Sequence, residues 1–370
     1  MLAMLATSFA LVSAEFLPAG LLTPMARDLG ISEGMAGQVV TATASVGAVA
    51  ALLSNVLIGR LNRKAVLVGL SVLAIASNLI ATFATDFWLL LVGRAGLGIA
   101  LSAFWALSVA VVARLVGTSA IGRGMAMVSL GVSLATIAAP SMGAIVGDWL
   151  GWRSAMGITA ALSGLALLLQ LLTLPSMPAS SGNSVGDIFR LLGRRGVQLG
   201  MLAILLLISG HMAGSVYVRP FLEETAGLST AMIALALAGF GAAAVLGTVA
   251  GGKLADLNTR NALATTAGIM AVAALALVFW GSNVPAAFAF VGLWGLAFGM
   301  APVALQANLS RSATDALETS GSLMVVSFQA AIMIGAIVGG YIVDTYSAVT
   351  NLIVTALLAA LTLLLALSRR

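Results

Sequence analysis

Twelve apolar runs fill this chain of 370 residues and leave only short loops and one polar linker between them. A helix that crosses the hydrocarbon core needs roughly 20 apolar residues, so twelve crossings use about two thirds of the length and leave no room for a soluble domain. Uninterrupted apolar stretches lack the alternation of a barrel strand, and in hydrocarbon a helix satisfies its backbone from within. Composition agrees: 61% of residues are hydrophobic and 8% charged, where a water-soluble domain carries about 25% charged residues. The predicted spans run from Leu2 to Met25, Ala36 to Ile58, Ala65 to Phe83, Phe87 to Leu115, Met125 to Val146 and Met156 to Leu174. Six more run from Leu199 to Val218, Thr230 to Leu254, Ala262 to Trp280, Pro285 to Leu305, Leu323 to Val343 and Asn351 to Leu367.

The second half echoes the first at an offset of 197 residues: Gly30 falls on Gly227, Ser32 on Ser229, Leu57 on Leu254, Arg63 on Arg260, Gly98 on Gly295 and Gly143 on Gly340. Such an echo predicts an all-α integral membrane fold of twelve helices in two pseudo-symmetric six-helix bundles. Parallel halves around a central site are a recurring design of secondary transporters. The expected units are residues 1–175, a linker 176–196 and residues 197–370. The linker, PSMPASSGNSVGDIFRLLGRR, is Pro/Ser/Gly-rich, and its Val185–Leu192 portion has the pattern of a short interfacial helix.

Charge sets the orientation. Placing both termini in the cytoplasm puts 13 of the 17 basic residues on that side, whereas the opposite topology inverts the positive-inside bias. The expected topology is therefore multi-pass with both termini cytoplasmic, and the expected location a bacterial inner membrane. The net charge of +5 is spread over many loops and forms no stripe for nucleic acid. The absence of cysteine excludes disulfides and thiolate chemistry. The first run lacks a basic leader and contains Glu15, unlike a cleavable signal peptide.

Ionisable groups inside the spans are few. Glu15 lies 12 residues from Arg27, hence roughly 18 Å deep, where an acid is costly and suited to exchanging protons. Arg94, eight residues from Asp86, lies roughly 12 Å below the outer surface. It is positioned to pair with Glu15, to snorkel outward or to bond backbone carbonyls. His211, the sole histidine, with Tyr217 two turns on, is placed either to line a cavity or to pack. For stacking on and bonding a planar polar solute the spans offer Phe16, Phe104, Trp105, Gln38, Thr41, Thr43, Ser133, Gln306 and Gln329. Pro18, Pro24 and Pro140 remove backbone donors and are expected to kink their helices.

Several segments resemble the major facilitator superfamily. GKLADLNTR (Gly252 to Arg260) resembles its loop signature, with Gly59, Arg60, Leu61, Asn62, Arg63 and Lys64 as a degenerate first-half partner in which Gly59 replaces the aspartate. RAGLGIALS, from Arg94, resembles its fourth-span signature. GVSLATIAAPSMGAIVG, from Gly131, resembles the signature of its drug/proton antiporter group, with Ala139 for the first glycine. The opening EFLPAGLLTPMARDLGISEGMAGQVVTATA and ISGHMAGSVYVRPFL resemble the arabinose-efflux-permease branch, and within it the purine ribonucleoside efflux permeases.

The resemblance implies proton coupling at Arg94, and with it gating by Arg60, Arg63, Asp256 and Arg260. It also implies proton-coupled export of a small polar or amphipathic solute, purine ribonucleosides being the candidate class, by alternating access. Sugar or multidrug export, or uptake by a symporter or uniporter, stay open. No catalytic constellation or metal-ligand cluster points to an enzyme. The expected partners are a small-molecule solute and membrane lipid, with no nucleic acid, no cofactor beyond the coupling proton, and a monomeric state.

Overall fold

The computed structural model describes residues 1–57, 61–117, 120–178, 190–313 and 317–368, which are helical with no strand among them. In the first half the helices are α1 (Leu2–Phe16), α2 (Pro18–Leu29), α3 (Glu33–Leu57), α4 (Arg63–Thr82), α5 (Phe87–Val116), α6 (Ile121–Trp149) and α7 (Trp152–Thr173). The second half has α8 (Arg195–Ser215), a short turn and a π-turn (Phe221–Thr225), then α9 (Thr230–Leu257), α10 (Thr259–Trp280), α11 (Val284–Arg311), α12 (Leu317–Thr345) and α13 (Ala348–Ser368). Among the described residues eleven helices are long and apolar enough to cross a membrane, and α1 and α2, bent by 43° at their break, pass as a twelfth span when taken together. The first run, expected as one helix to Met25, is thus two helices that reach Leu29. The break is at Leu17, immediately before Pro18, whose ring cannot donate to the helix. The expected interfacial helix at Val185–Leu192 falls mostly outside the described residues. Its last three, Arg190 to Leu192, are helical.

Local chemistry starts and stops the spans. Asp86 accepts from the Leu89 N–H to open α5, Asn283 from Ala286 to open α11, and Asn258 from Arg260 and Asn261 to open α10. Gly30 ends α2 at φ 64°, and Gly227 takes the same φ 64° just before α9. Each is followed by a serine cap: Ser32 Oγ accepts from Met35 N, and Ser229 Oγ from Met232 N. These paired turns lie 197 residues apart.

The repeat also governs packing. A Cβ on Gly98 would lie 2.1 Å from the Thr43 carbonyl, and one on Gly295 would lie 2.2 Å from the Phe240 carbonyl. The two contacts are 197-residue equivalents. Glycine lets α5 lie on α3, and α11 on α9, at backbone distance. Between the halves, α12 packs on α3 and α9 on α6. Buried polar bonds fix register inside each half: Gln170 donates to Thr7 and Ser71, and Thr355 to the Gly210 carbonyl. The loops divide by charge. Arg63, Lys64, Arg195, Lys253, Arg260 and Arg311 gather at the basic end, and Asp28, Glu33, Asp86, Glu223, Glu224 and Asp344 at the acidic end.

Candidate functional site

The site grows from the broken first span. In an α-helix the Ala14 carbonyl would accept from residue 18, but Pro18 has no N–H. The missing donor is Arg94, whose Nη1 reaches the Ala14 oxygen at 2.8 Å, while Nε lies 3.5 Å from the Val39 carbonyl. Arg94 reaches both because it sits one turn from Gly98 on the face of α5 that touches α3. Of the geometries open to Arg94 from the sequence, the structure has carbonyl bonding. The side chain is buried at 1% exposure, and its Nη2 has no hydrogen-bond partner among the described residues.

Glu15 follows Ala14 directly. Its side chain is partly accessible and it forms no ion pair within 4 Å among the described residues; Arg94 is the charge that acts on it. Beside it, Phe16 meets Phe298 of the second half edge-on, with ring centroids 6.0 Å apart. Phe298 stacks on His211 at 4.2 Å and lies 5.7 Å from Phe240, while Trp294 stands edge-on to His211 at 5.6 Å. Phe16, Phe240 and Phe298 are part-exposed; His211 and Trp294 are buried behind them. His211 Nδ1 and Trp294 Nε1 have no hydrogen-bond partner among the described residues. Through the Phe16–Phe298 contact, the break that carries Glu15 and is held by Arg94 meets an aromatic cluster from the second half.

Other expected residues occupy different places. Gln38 and Tyr217 sit where α3 meets α12: Tyr217 Oη donates to Ala336 O at 2.8 Å and Gln38 Nε2 to Gly34 O at 3.2 Å. Tyr217 therefore belongs to the acidic-end contact and not to the His211 cluster. Gln329 donates across the halves to Ser102 Oγ at 3.2 Å, and Thr41 Oγ1 is buried without a hydrogen-bond partner among the described residues. Thr43 donates to Val39 O within its own helix.

Phe104 is wholly buried in the first-half core, with Trp105 edge-on to it. Ser133 is part-buried on α6, where its carbonyl accepts from Thr136, and Gln306 is exposed. Asp256 is exposed, whereas Arg260 donates to Ala366 O and Leu367 O and so caps α13 within its own half. Arg63 is buried at the start of α4, its N–H bonded to Met177 O. Arg60 lies outside the described residues. Pro24 and Pro140 lie inside helices that continue through them, and the Pro140 carbonyl abuts Gly20.

Sequence reasoning missed Phe240, Trp294 and Phe298. Helices that are apolar on every face offer no periodicity to tell a cavity-facing ring from a lipid-facing one. A cavity of about 480 Å³, lined by Thr23, Arg27, Glu33, Glu223 and Glu224, opens at the acidic end. Thr23 is eight residues from Glu15, hence roughly 12 Å along the span, so this is a vestibule apart from the central site.

Two bundles of spanning helices around a polar and aromatic centre define a multi-pass membrane transporter. The model of the Major Facilitator Superfamily matches residues 3–324, and the chain belongs to that superfamily. It is 38% identical over 354 residues to the purine ribonucleoside efflux pump NepI of Salmonella paratyphi C (strain RKS4594), covering 96% of this chain and 89% of that protein. The NepI of Shigella sonnei (strain Ss046) is 38% identical over 355 residues, covering 96% and 90%. Among solved structures, a bacterial homolog of the human lysosomal transporter Spinster, inward-facing and unoccupied, superimposes with TM-score 0.81 at 16% identity over 99% of this chain and 96% of that one. A D-xylose–proton symporter gives TM-score 0.79 at 17% identity, covering 99% and 96%.

Proposed function

We propose that this transporter exports purine ribonucleosides in exchange for protons, by alternating access between its two halves. The observation that carries the reading is that the break in the first span, next to Glu15 and held by Arg94, abuts the Phe16–Phe298–His211 cluster contributed by both halves. A planar base has two faces to stack, and Phe16, Phe240 and Phe298 present part-exposed rings. Trp294 Nε1 and His211 Nδ1, polar atoms beside those rings with no hydrogen-bond partner among the described residues, are suited to the edge of a heteroaromatic ring. Glu15 is the proton carrier, and Arg94 holds the broken helix and attracts the carboxylate whenever it is charged. A proton arriving at Glu15 cancels that attraction, and its departure restores it. The names of the relatives support the solute class and direction, and the charge asymmetry supports a cytoplasmic basic end in a bacterial inner membrane. Function as a monomer belongs to the same reading, because each chain holds both halves of the site.

The test uses proteoliposomes with an imposed pH gradient and a radiolabelled purine ribonucleoside. The solute moves against the proton flow, and Glu15→Gln abolishes gradient-driven accumulation. Flux indifferent to the gradient, together with a silent Glu15→Gln, overturns proton exchange through this acid. A preference for pentoses or lipophilic cations in competition overturns the solute class.

A further inference from the structure

We propose that Arg219 and Asp344, both on the second half, are the latch that holds the acidic end shut, by supplying hydrogen bonds that two places on the first half cannot make for themselves. The proposal rests on the alternating-access reading.

The first place is Gly20. Its carbonyl would accept from residue 24 of α2, but that residue is Pro24, so the oxygen is left without a helical donor. The donor comes from the other half: Arg219 Nη1 bonds the Gly20 carbonyl. Arg219 is 3% exposed, and its Nε donates to Glu223 Oε1 at 2.7 Å, which fixes the direction of the arm. Gly20 is itself required by the geometry, because a Cβ there would lie 2.0 Å from the Pro140 carbonyl.

The second place is the start of α3, where the first turn has N–H groups with no helical acceptor. Asp344 at the end of α12 accepts from Gly34 N at 2.8 Å and from Ser32 Oγ at 2.6 Å, while Ser32 Oγ accepts from Met35 N at 3.1 Å. A carboxylate from one half thus completes the cap of a helix in the other, at its positive end. Gly34 allows the approach, since a Cβ there would lie 2.3 Å from Gly340 O.

Both contacts bridge the halves, and both end when the halves part at this end. The latch is one-sided. The residues 197 positions before Arg219 and Asp344 are Leu22 and Gly147, which carry neither charge. The buried arginine bond is the stronger element and the exposed aspartate cap the weaker.

The chain has no native cysteine, so paired spin labels report each end cleanly. Leu150→Cys and Tyr346→Cys, at positions each 69% exposed, span the acidic end; Leu61→Cys and Leu257→Cys, 53% and 83% exposed, span the basic end. In nanodiscs, Arg219→Gln lowers the ratio of short to long acidic-end distances by about tenfold, and Asp344→Asn lowers it by about threefold. Pro24→Ala, which returns an N–H to Gly20 O and favours the helix, lowers the ratio as Arg219→Gln does, and the two changes together lower it no further.

An unchanged ratio in Arg219→Gln, or additive effects of Pro24→Ala and Arg219→Gln, in a protein whose two distances move oppositely when purine ribonucleoside is added, overturns the latch alone. If those distances do not move oppositely in the labelled parent, alternating access fails and the latch fails with it.

Discussion

Arg94 and Arg219 perform the same physical task at two depths. Each donates to a carbonyl four residues before a proline, Ala14 before Pro18 and Gly20 before Pro24. A buried acceptor without a donor is costly, so each proline in the first span needs an outside group, and a guanidinium reaches across a helix interface with several donors. Lysine keeps the charge but loses the fork. Arg94→Lys is therefore expected to lower stability by about 1.5–3 kcal/mol, measured by denaturant unfolding in detergent. In a Pro18→Ala background, where residue 18 donates to Ala14 O, the loss shrinks to less than half. An equal loss in both backgrounds means that Arg94 is held by something other than the orphaned carbonyl. Glu15 was legible in the sequence from its depth alone, because a carboxyl so far into an apolar run has few explanations. Arg219 was not, because its partner is a backbone atom of another helix and no pattern of side chains records it.

At the scale of elements, the glycines that repeat at 197 residues set how closely helices lie. Gly98 on Thr43 O and Gly295 on Phe240 O are the same contact built twice, so adding a methyl group acts alike in both halves. Gly98→Ala and Gly295→Ala each force a backbone shift, an overpacking cost of about 1–3 kcal/mol, and lower the melting temperature in detergent. Gly292→Ala on α11, where a Cβ meets nothing within 4 Å, is neutral or stabilises by about 0.5–1 kcal/mol. If all three variants melt alike, the close approach of α5 to α3 and of α11 to α9 is not what glycine provides. The repeat was readable because steric demand leaves its mark on residue type. Pro18 likewise foretold the break in the first span. The facing of the rings was hidden, since Phe240 and Phe298 are ordinary members of apolar runs until α9 and α11 are packed together.

Over the whole molecule the duplication is geometric but not chemical. Where the first half carries Glu15 and Arg94, the second carries Met212 and Val291 at the 197-residue equivalents. Where the second half carries Phe240 and Phe298, the first carries Thr43 and Leu101. One bundle holds Glu15 and Arg94 and the other most of the aromatic surface, so on the proposed reading neither is a complete site and the chemistry needs both. On the export reading, protons have a direction only if the bundle is inserted one way round, and the predicted loops specify that way: the topology read from the sequence assigns 13 of 17 basic residues to the side of both termini. Topology is then a direct prediction. A membrane-impermeant maleimide labels Leu150→Cys, at the acidic end, in intact cells. It labels Leu257→Cys, at the basic end, only after permeabilisation. The reverse pattern places Arg63 and Arg260 outside, and the proton gradient would then enter the cycle at the opposite mouth from the one the export reading requires.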